Sequence, residues 1–103
     1  MTIERKYVLI RLGKGDYMFA GNDGRSVWRV RRYVEGPSAG LTDWTRDRDV
    51  WGAWRYTGDL SAEGDEILMT GAEVDDGNLW DFYDGMCDTR AEAIQVALKE
   101  SER

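Results

Sequence analysis

The alternation of apolar and polar residues along the chain predicts a sheet of short strands rather than a helical bundle. The segments rich in β-branched and aromatic residues, and therefore predicted to be strands, are 6–12, 17–21, 26–36, 49–58, 66–74 and 79–85. In segment 79–85 a helical period competes with strand alternation. The turn that precedes this segment and its aromatic content favour a strand.

Glycine, asparagine and aspartate separate these segments and predict tight connections between antiparallel neighbours. Turns are predicted at 13–16, 22–24 and 75–78, and longer loops at 36–43 and 60–65. Segment 22–24 reads Asn-Asp-Gly and is a strong hairpin signal, because these residue types tolerate the positive φ that a tight turn needs.

Strict alternation in segment 26–36 predicts two different strand faces. One face carries Trp28, Val30, Arg32 and Val34, and the other carries Val27, Arg29, Arg31 and Tyr33. In segment 49–58 the same rule sends Trp51 and Trp54 to opposite faces, because an odd number of residues separates them.

The C-terminal segment is the one predicted helix. Thr89 and Glu92 form a T-x-x-E capping box, and Ala91, Ile94, Ala97 and Leu98 form a narrow apolar stripe. We therefore expect an α+β fold in which an antiparallel meander sheet of five to six strands carries this helix on one face. A chain of 103 residues is predicted to form a single domain, residues 1–103.

Three of the five tryptophans, Trp44, Trp51 and Trp54, fall within eleven positions, and two interpretations of them stay open. In the first, Trp28 and Trp54 are core residues while Trp44 and Trp51 pack under the 36–48 loop. In the second, part of the set is a contact surface, because Trp, Tyr and Arg are enriched at interface hot spots. Its residues would be Tyr33, Trp44, Trp51, Arg29, Arg31 and Arg55.

Charge is distributed unevenly along the chain. The net charge is −6, yet residues 1–55 are net basic, and residues 56–89 carry ten acidic side chains and no basic one. The acidic residues of this run are Asp59, Glu63, Asp65, Glu66, Glu73, Asp75, Asp76, Asp81, Asp84 and Asp88. They could pair with arginines of strand 26–36 across the sheet, or form an acidic patch for a basic partner.

The acidic patch indicates a protein-interaction module of the DNA-mimic type. Proteins that handle nucleic acid line their grooves with Lys and Arg, and ordered carboxylates could occupy such a groove. The composition resembles small accessory proteins of bacteriophages that infect high-GC hosts. The resemblance implies an inhibitor of a host protein with an anti-defence role. The single cysteine, which cannot form an internal disulfide, indicates a cytoplasmic location in the bacterial cell.

Two other functions remain open. Arg25, Arg29, Arg31, Arg32 and Arg55, with Trp28, Tyr33 and Trp51, could form a basic aromatic face that binds nucleic acid or a small ligand. A pI near 4.6 disfavours nucleic acid. Self-association through exposed strand edges is the third possibility. The sequence has no apolar run of membrane-spanning length and no signal-peptide pattern, so no membrane contact is expected.

Most catalytic chemistries lack their residues here. The chain has no histidine and one cysteine, Cys87, so the usual nucleophilic triads and His- or Cys-ligated zinc sites are excluded. No nucleotide-binding glycine motif and no calcium-loop pattern is present. We expect a protein that is not an enzyme, that takes no cofactor or metal, and in which Cys87 is a buried structural residue.

Overall fold

The computed structural model describes residues 9–58, 67, 69 and 71–102. Its strands are β1 (Ile10–Gly13), β2 (Asp16–Ala20), β3 (Val27–Glu35), β4 (Arg48–Tyr56) and β5 (Trp80–Cys87). Its α-helices are α1 (Gly71–Asp75) and α2 (Arg90–Ser101), and short 3-10 helices occupy Pro37–Ala39 and Gly77–Leu79. The predicted α+β class is confirmed. The predicted 60–65 loop and residues 6–8 of the first strand lie outside the described residues.

The sheet is an antiparallel meander in which the strands lie in chain order, β1-β2-β3-β4-β5. Glycines with positive φ close the first two hairpins, Gly15 at φ 67° and Gly24 at φ 71°. The turns predicted at 13–16 and 22–24 are therefore confirmed. Segment 79–85 is a strand, as its aromatic alternation predicted.

The side chain of Asp23 organises the hairpin between β2 and β3. Its carboxylate accepts hydrogen bonds from the backbone N–H groups of Arg25 (3.1 Å) and Ser26 (3.0 Å) and from the Ser26 hydroxyl (2.7 Å). Partial burial acts to raise the pKa of Asp23, but these hydrogen bonds outweigh it and hold that pKa below its ordinary value of 3.8.

This depressed pKa predicts a pH-dependent contribution to stability. The carboxylate of Asp23 stabilises the fold above its unfolded-state pKa, and the stabilisation is lost as pH falls through the lower folded-state pKa. We expect Asp23→Asn to lower the free energy of unfolding at neutral pH, and the difference from wild type to vanish in strong acid. Urea denaturation across pH measures this difference. A difference that stays constant from neutral pH into strong acid would contradict the assignment.

Helix α2 covers one face of the sheet, which we call the helix face. Thr89 caps it by accepting a hydrogen bond from the Glu92 N–H (3.2 Å), which confirms the predicted capping residue. Ile94, Ala97 and Leu98 are buried as predicted, but Ala91 is exposed and Ala93 takes its place in the contact. These residues pack against a core formed by Phe19, Trp28, Val30, Ala53 and Cys87.

The opposite face, which we call the open face, has a second and smaller core. It consists of Met18, Ala20, Val27 and Trp80, and Ile67, Met69 and Leu79 pack against it. Segment 71–79 therefore covers one part of this face. Among the described residues, no helix combines the length and apolar character that crossing a bilayer requires.

The strand predicted at 66–74 is wrong where the structure describes it, because residues 71–75 form helix α1. The Val74 carbonyl accepts hydrogen bonds from Arg29 Nη1 (2.9 Å) and Trp80 Nε1 (3.1 Å). Side chains of the sheet thus satisfy a carbonyl of α1. The hairpin turn predicted at 75–78 is also replaced, because Gly77–Leu79 is a 3-10 helix capped by Asp76.

Candidate interaction surface

Strand β5 forms one edge of the sheet and carries most of the exposed apolar bulk in the part of the chain that the structure describes. Phe82, Tyr83 and Met86 expose 58%, 43% and 44% of their surface, and Val34 of β3 exposes 43%. Asp81 and Asp84, both exposed, alternate with these side chains along the strand. We call Asp81, Phe82, Tyr83, Asp84 and Met86 the β5 edge surface.

Strand alternation places the neighbouring aromatic residues Phe82 and Tyr83 on opposite faces of the sheet, and the pairing of β5 with β4 is irregular beside them. The register shifts between Trp51 and Ala53 and again between Ala53 and Trp54. Phe82 lies against Trp54 on the open face, with ring centroids 5.3 Å apart. Tyr83 meets buried Trp28 on the helix face at 5.5 Å, edge to face. The β5 edge surface therefore presents one aromatic ring on each side of the strand.

Two glycines make room for the aromatic rings on the open face. A Cβ at Gly52 would lie 2.9 Å from the Trp54 ring and 3.0 Å from the Tyr33 ring, and a Cβ at Gly85 would lie 2.7 Å from the Phe82 ring. Tyr33, Trp54 and Phe82 form a row across β3, β4 and β5, with successive centroids 6.0 and 5.3 Å apart. Close glycine contacts thus hold the exposed Phe82 ring in a defined position.

Side chains occupy two backbone donors of β5. The Gly85 N–H donates to Asp84 Oδ1 (2.8 Å), and the Met86 N–H donates to the Tyr33 hydroxyl (3.1 Å). Met86 itself has φ 64°, which breaks the extended conformation. Such irregularities limit the pairing of a further strand with the edge. The β5 edge surface therefore offers side chains rather than backbone for contact.

Six of the ten residues of the predicted acidic patch lie among the described residues, and they belong to different elements of the fold. Asp59, Glu63, Asp65 and Glu66 lie outside the described residues. Asp81 and Asp84 lie on β5, whereas Asp75 and Asp76 are exposed at the end of α1. The other two members are engaged elsewhere: Glu73 is half-buried beside the Tyr56 hydroxyl at 3.4 Å, and Asp88 forms an ion pair with Arg48.

The predicted arginine and aromatic contact surface is wrong as a single surface. Arg29, Arg31 and Tyr33 lie on the open face, and Trp51 and Arg55 lie on the helix face. The register shows the reason: Trp51 pairs with Arg32, and Arg55 pairs with Trp28, and both partners belong to the helix face. Arg55 lies over the Trp28 ring, with 5.9 Å between its guanidinium carbon and the ring centroid.

The tryptophans divide between core and partial exposure. Trp28 is fully buried, while Trp44, Trp51 and Trp54 are half-buried. Trp51 packs against the core on the helix face, with its ring 6.2 Å from that of Tyr17, and not under the 36–48 loop. Trp44 lines a shallow cavity within the loop before β4, together with Asp43 and Arg46.

Arg29, a predicted contact residue, is almost fully buried and is held by contacts within the fold. It is 8% exposed, and its Nε and Nη2 atoms donate to the two carboxylate oxygens of Asp16 at 2.8 and 2.5 Å. The Arg31 Nε atom lies 3.8 Å from the same carboxylate. One interpretation of the sequence pairs these arginines with carboxylates of residues 56–89. In the structure they pair instead with Asp16 of the preceding strand, β2.

Cys87 is buried, as predicted. Burial raises the pKa of its thiol, and the nearby carboxylates of Asp84 and Glu92 raise it further. The thiol is therefore protonated at neutral pH, which is the wrong state for a nucleophile or metal ligand. Within the described residues, no three His, Cys, Asp or Glu side chains are grouped so that they could hold a metal ion.

The sequence predicted Asp81 and Asp84 as contact residues but did not identify Phe82, Tyr83 and Met86 beside them, nor the row of Tyr33, Trp54 and Phe82. The signal was present in D-F-Y-D-G-M at 81–86, where acidic and apolar residues are interspersed. The predicted meander places this segment in the last strand, which is an edge strand of the sheet. Comparison of the chain with protein-family models, curated proteins and solved structures finds no match.

Proposed function

We propose that this chain is a non-enzymatic protein-interaction module whose contact surface is the β5 edge surface. The observation that carries the proposal is the concentration of exposed apolar side chains, Phe82, Tyr83 and Met86, on one edge strand. Exposed aromatic residues that pack on a rigid support lose little conformational entropy on binding, and aromatic residues and Met are enriched at interfaces.

The carboxylates define the kind of partner. Asp81 and Asp84 alternate with the apolar side chains, and the chain as a whole carries a net charge of −6. A complementary partner has an apolar groove bordered by Lys or Arg. Grooves that bind nucleic acid carry such basic borders. The proposed partner is therefore a nucleic-acid-handling protein that this chain inhibits by occupying its groove, in the cytoplasm of a bacterial host of a phage or mobile element.

The partner contacts side chains of β5 and does not add a strand to the sheet. Support comes from the occupied N–H groups of Gly85 and Met86 and from the positive φ of Met86. Phe82 is the proposed anchor because it is the most exposed of the three apolar side chains and Trp54 fixes its ring. The role predicted for Trp44 and Trp51 as anchors passes to Phe82.

The proposal is tested by capture of proteins from a high-GC bacterial lysate on three versions of the tagged chain. These are wild type, Asp81→Asn/Asp84→Asn, and the control Asp43→Asn/Asp49→Asn, which changes the net charge equally at exposed sites outside the β5 edge surface. We expect one basic, nucleic-acid-handling protein on wild type and on the control. Its affinity for the β5 variant should be roughly tenfold lower, and added salt should release it.

A second variant tests the apolar anchor. Phe82→Ser should weaken the same interaction by roughly thirtyfold or more, the loss typical of a hot-spot aromatic residue. The fold should persist because Phe82 is 58% exposed. Equal capture by all versions would overturn the proposed surface, as would self-association of the chain as the only interaction observed in a sizing experiment.

A further inference from the structure

A cavity of about 230 Å³ lies on the open face, between the sheet and segment 71–79. Its walls are formed by Arg29, Arg31, Trp54, Asp75, Gly77 and Trp80. Since a water molecule takes about 30 Å³ of liquid volume, the cavity has room for about seven or eight waters, or for one planar ring of similar size. It is separate from the exposed side chains of β5.

The inner wall of this cavity is held in place before any ligand arrives. Arg29 and Trp80 both donate to the Val74 carbonyl, at 2.9 and 3.1 Å. Asp16 binds two further nitrogen atoms of Arg29. A guanidinium has five N–H donors, so this locked side chain keeps donors beyond those that the three hydrogen bonds use. A preformed wall removes the ordering cost that a ligand would otherwise meet.

The mouth of the cavity carries opposite charges. The side chain of Arg31 is 52% exposed, and its recorded ion pair with Asp16 is long, at 3.8 Å. Asp75, which also lines the cavity, is exposed and carries the negative charge. Two guanidinium groups among the lining residues disfavour a basic side chain as the occupant. Their donors instead favour a ligand with acceptor atoms and an anionic group.

We propose that this cavity binds a small planar heteroaromatic ligand with an anionic group, of the nucleoside monophosphate class. The ring packs against the Trp54 indole and turns an acceptor edge toward Arg29. The anionic group pairs with Arg31, and a ring N–H or ribose hydroxyl donates to Asp75. Each polar group of the lining then has a partner on one ligand, and the indole supplies the stacking surface. This site shares Trp54 with the row that supports Phe82, but none of the exposed side chains of the β5 edge surface lines it.

Gly77 allows a steric test with a matched control. A Cβ at Gly77 would meet no heavy atom within 4 Å, and the same holds for Gly71, which does not line the cavity. Because Gly77 lines the cavity, Gly77→Leu adds bulk at its wall without a clash, and Gly71→Leu makes the same change outside it. The probes are AMP, GMP, CMP and UMP, inorganic phosphate alone, and a single-stranded oligonucleotide. Tryptophan fluorescence and NMR measure the binding of each probe.

We expect at least one monophosphate to bind saturably. Gly77→Leu should weaken it at least roughly tenfold, as should Arg31→Gln through loss of a charge-assisted hydrogen bond, while Gly71→Leu leaves it unchanged. Binding of the oligonucleotide with the same sensitivity to Gly77→Leu would support the site with a nucleic-acid base as its ligand. The proposal fails if no monophosphate binds at millimolar concentration. The proposal would also be overturned if inorganic phosphate alone bound as tightly as a monophosphate, or if Gly77→Leu and Gly71→Leu weakened binding equally.

Discussion

Replacement of Trp28 by alanine is expected to lower the free energy of unfolding by about 3–5 kcal/mol, the range for a large aromatic residue removed from a core. Trp28 is fully buried, contacts the Tyr83 ring edge to face, and donates from Nε1 to the Ser26 hydroxyl at 2.8 Å. The substitution opens a cavity beneath α2. A small domain has about 5–15 kcal/mol of stability in total, so the loss is a large part of it.

Urea denaturation followed by circular dichroism measures this loss, and Trp44→Ala is the matched control. Trp44 is half-buried in the loop before β4, so its removal should cost about 1 kcal/mol or less. If Trp28→Ala were as mild as Trp44→Ala, the core on the helix face would not be the main source of stability. A large loss in both variants would instead show that the 41–47 loop stabilises the whole domain.

Asp16→Ala is expected to lower the free energy of unfolding by about 2–4 kcal/mol. The Asp16 carboxylate binds Arg29 at two nitrogen atoms and lies near Arg31, and the side chains of Arg29 and Asp16 are only 10% and 16% exposed. In the Asp16→Ala variant, the positive charge of Arg29 stays mostly buried but has lost its carboxylate partner Asp16. Removal of one partner from a buried ion pair is costly for this reason, whereas removal of both partners is often tolerated.

A double-mutant cycle separates these two effects. We expect Arg29→Met to rescue part of the loss in Asp16→Ala, so that the double variant is less destabilised than the two single variants together. Urea denaturation of all four proteins at one pH measures the coupling. If the losses in free energy of unfolding were strictly additive, the ion pair between Asp16 and Arg29 would not stabilise the contact between β2 and β3.

Local rules predicted the parts of the fold that depend on local geometry. Alternation in segment 26–36 placed Trp28 with Val30 on one face, and the odd spacing of Trp51 and Trp54 placed them on opposite faces. The capping box marked the start of α2, because a Thr hydroxyl can bind an N–H three residues later. These features follow from strand and helix periods, which sequence shows directly.

Features that depend on contacts between distant residues could not be predicted in this way. Residues 71–75 form a helix against the sheet, and Arg29 and Trp80 bind the carbonyl of Val74. The irregular pairing of β5 with β4 beside Tyr83 likewise depends on the partner strand. The cavity depends on these contacts because segment 71–79 closes it, whereas the edge position of β5 follows from the predicted meander order.

The uneven charge of the sequence points to a partner, but the fold decides where a partner can bind. Of the ten carboxylates of residues 56–89, the six that the structure describes are spread over α1, the residue after it, β5 and the residue after β5. Some serve local structure, since Asp76 caps a 3-10 helix and Asp88 pairs with Arg48. Those that alternate with exposed apolar side chains on β5 carry the proposed interaction.

Hydrogen exchange of the chain, alone and bound to its captured partner, tests the β5 edge surface most directly. We expect exchange to slow on binding in peptides that cover residues 80–87, and to stay unchanged in the loop at 41–47 and on the exposed side of α2. Protection confined to the loop or to α2, with β5 unchanged, would contradict the central claim that the partner binds at β5.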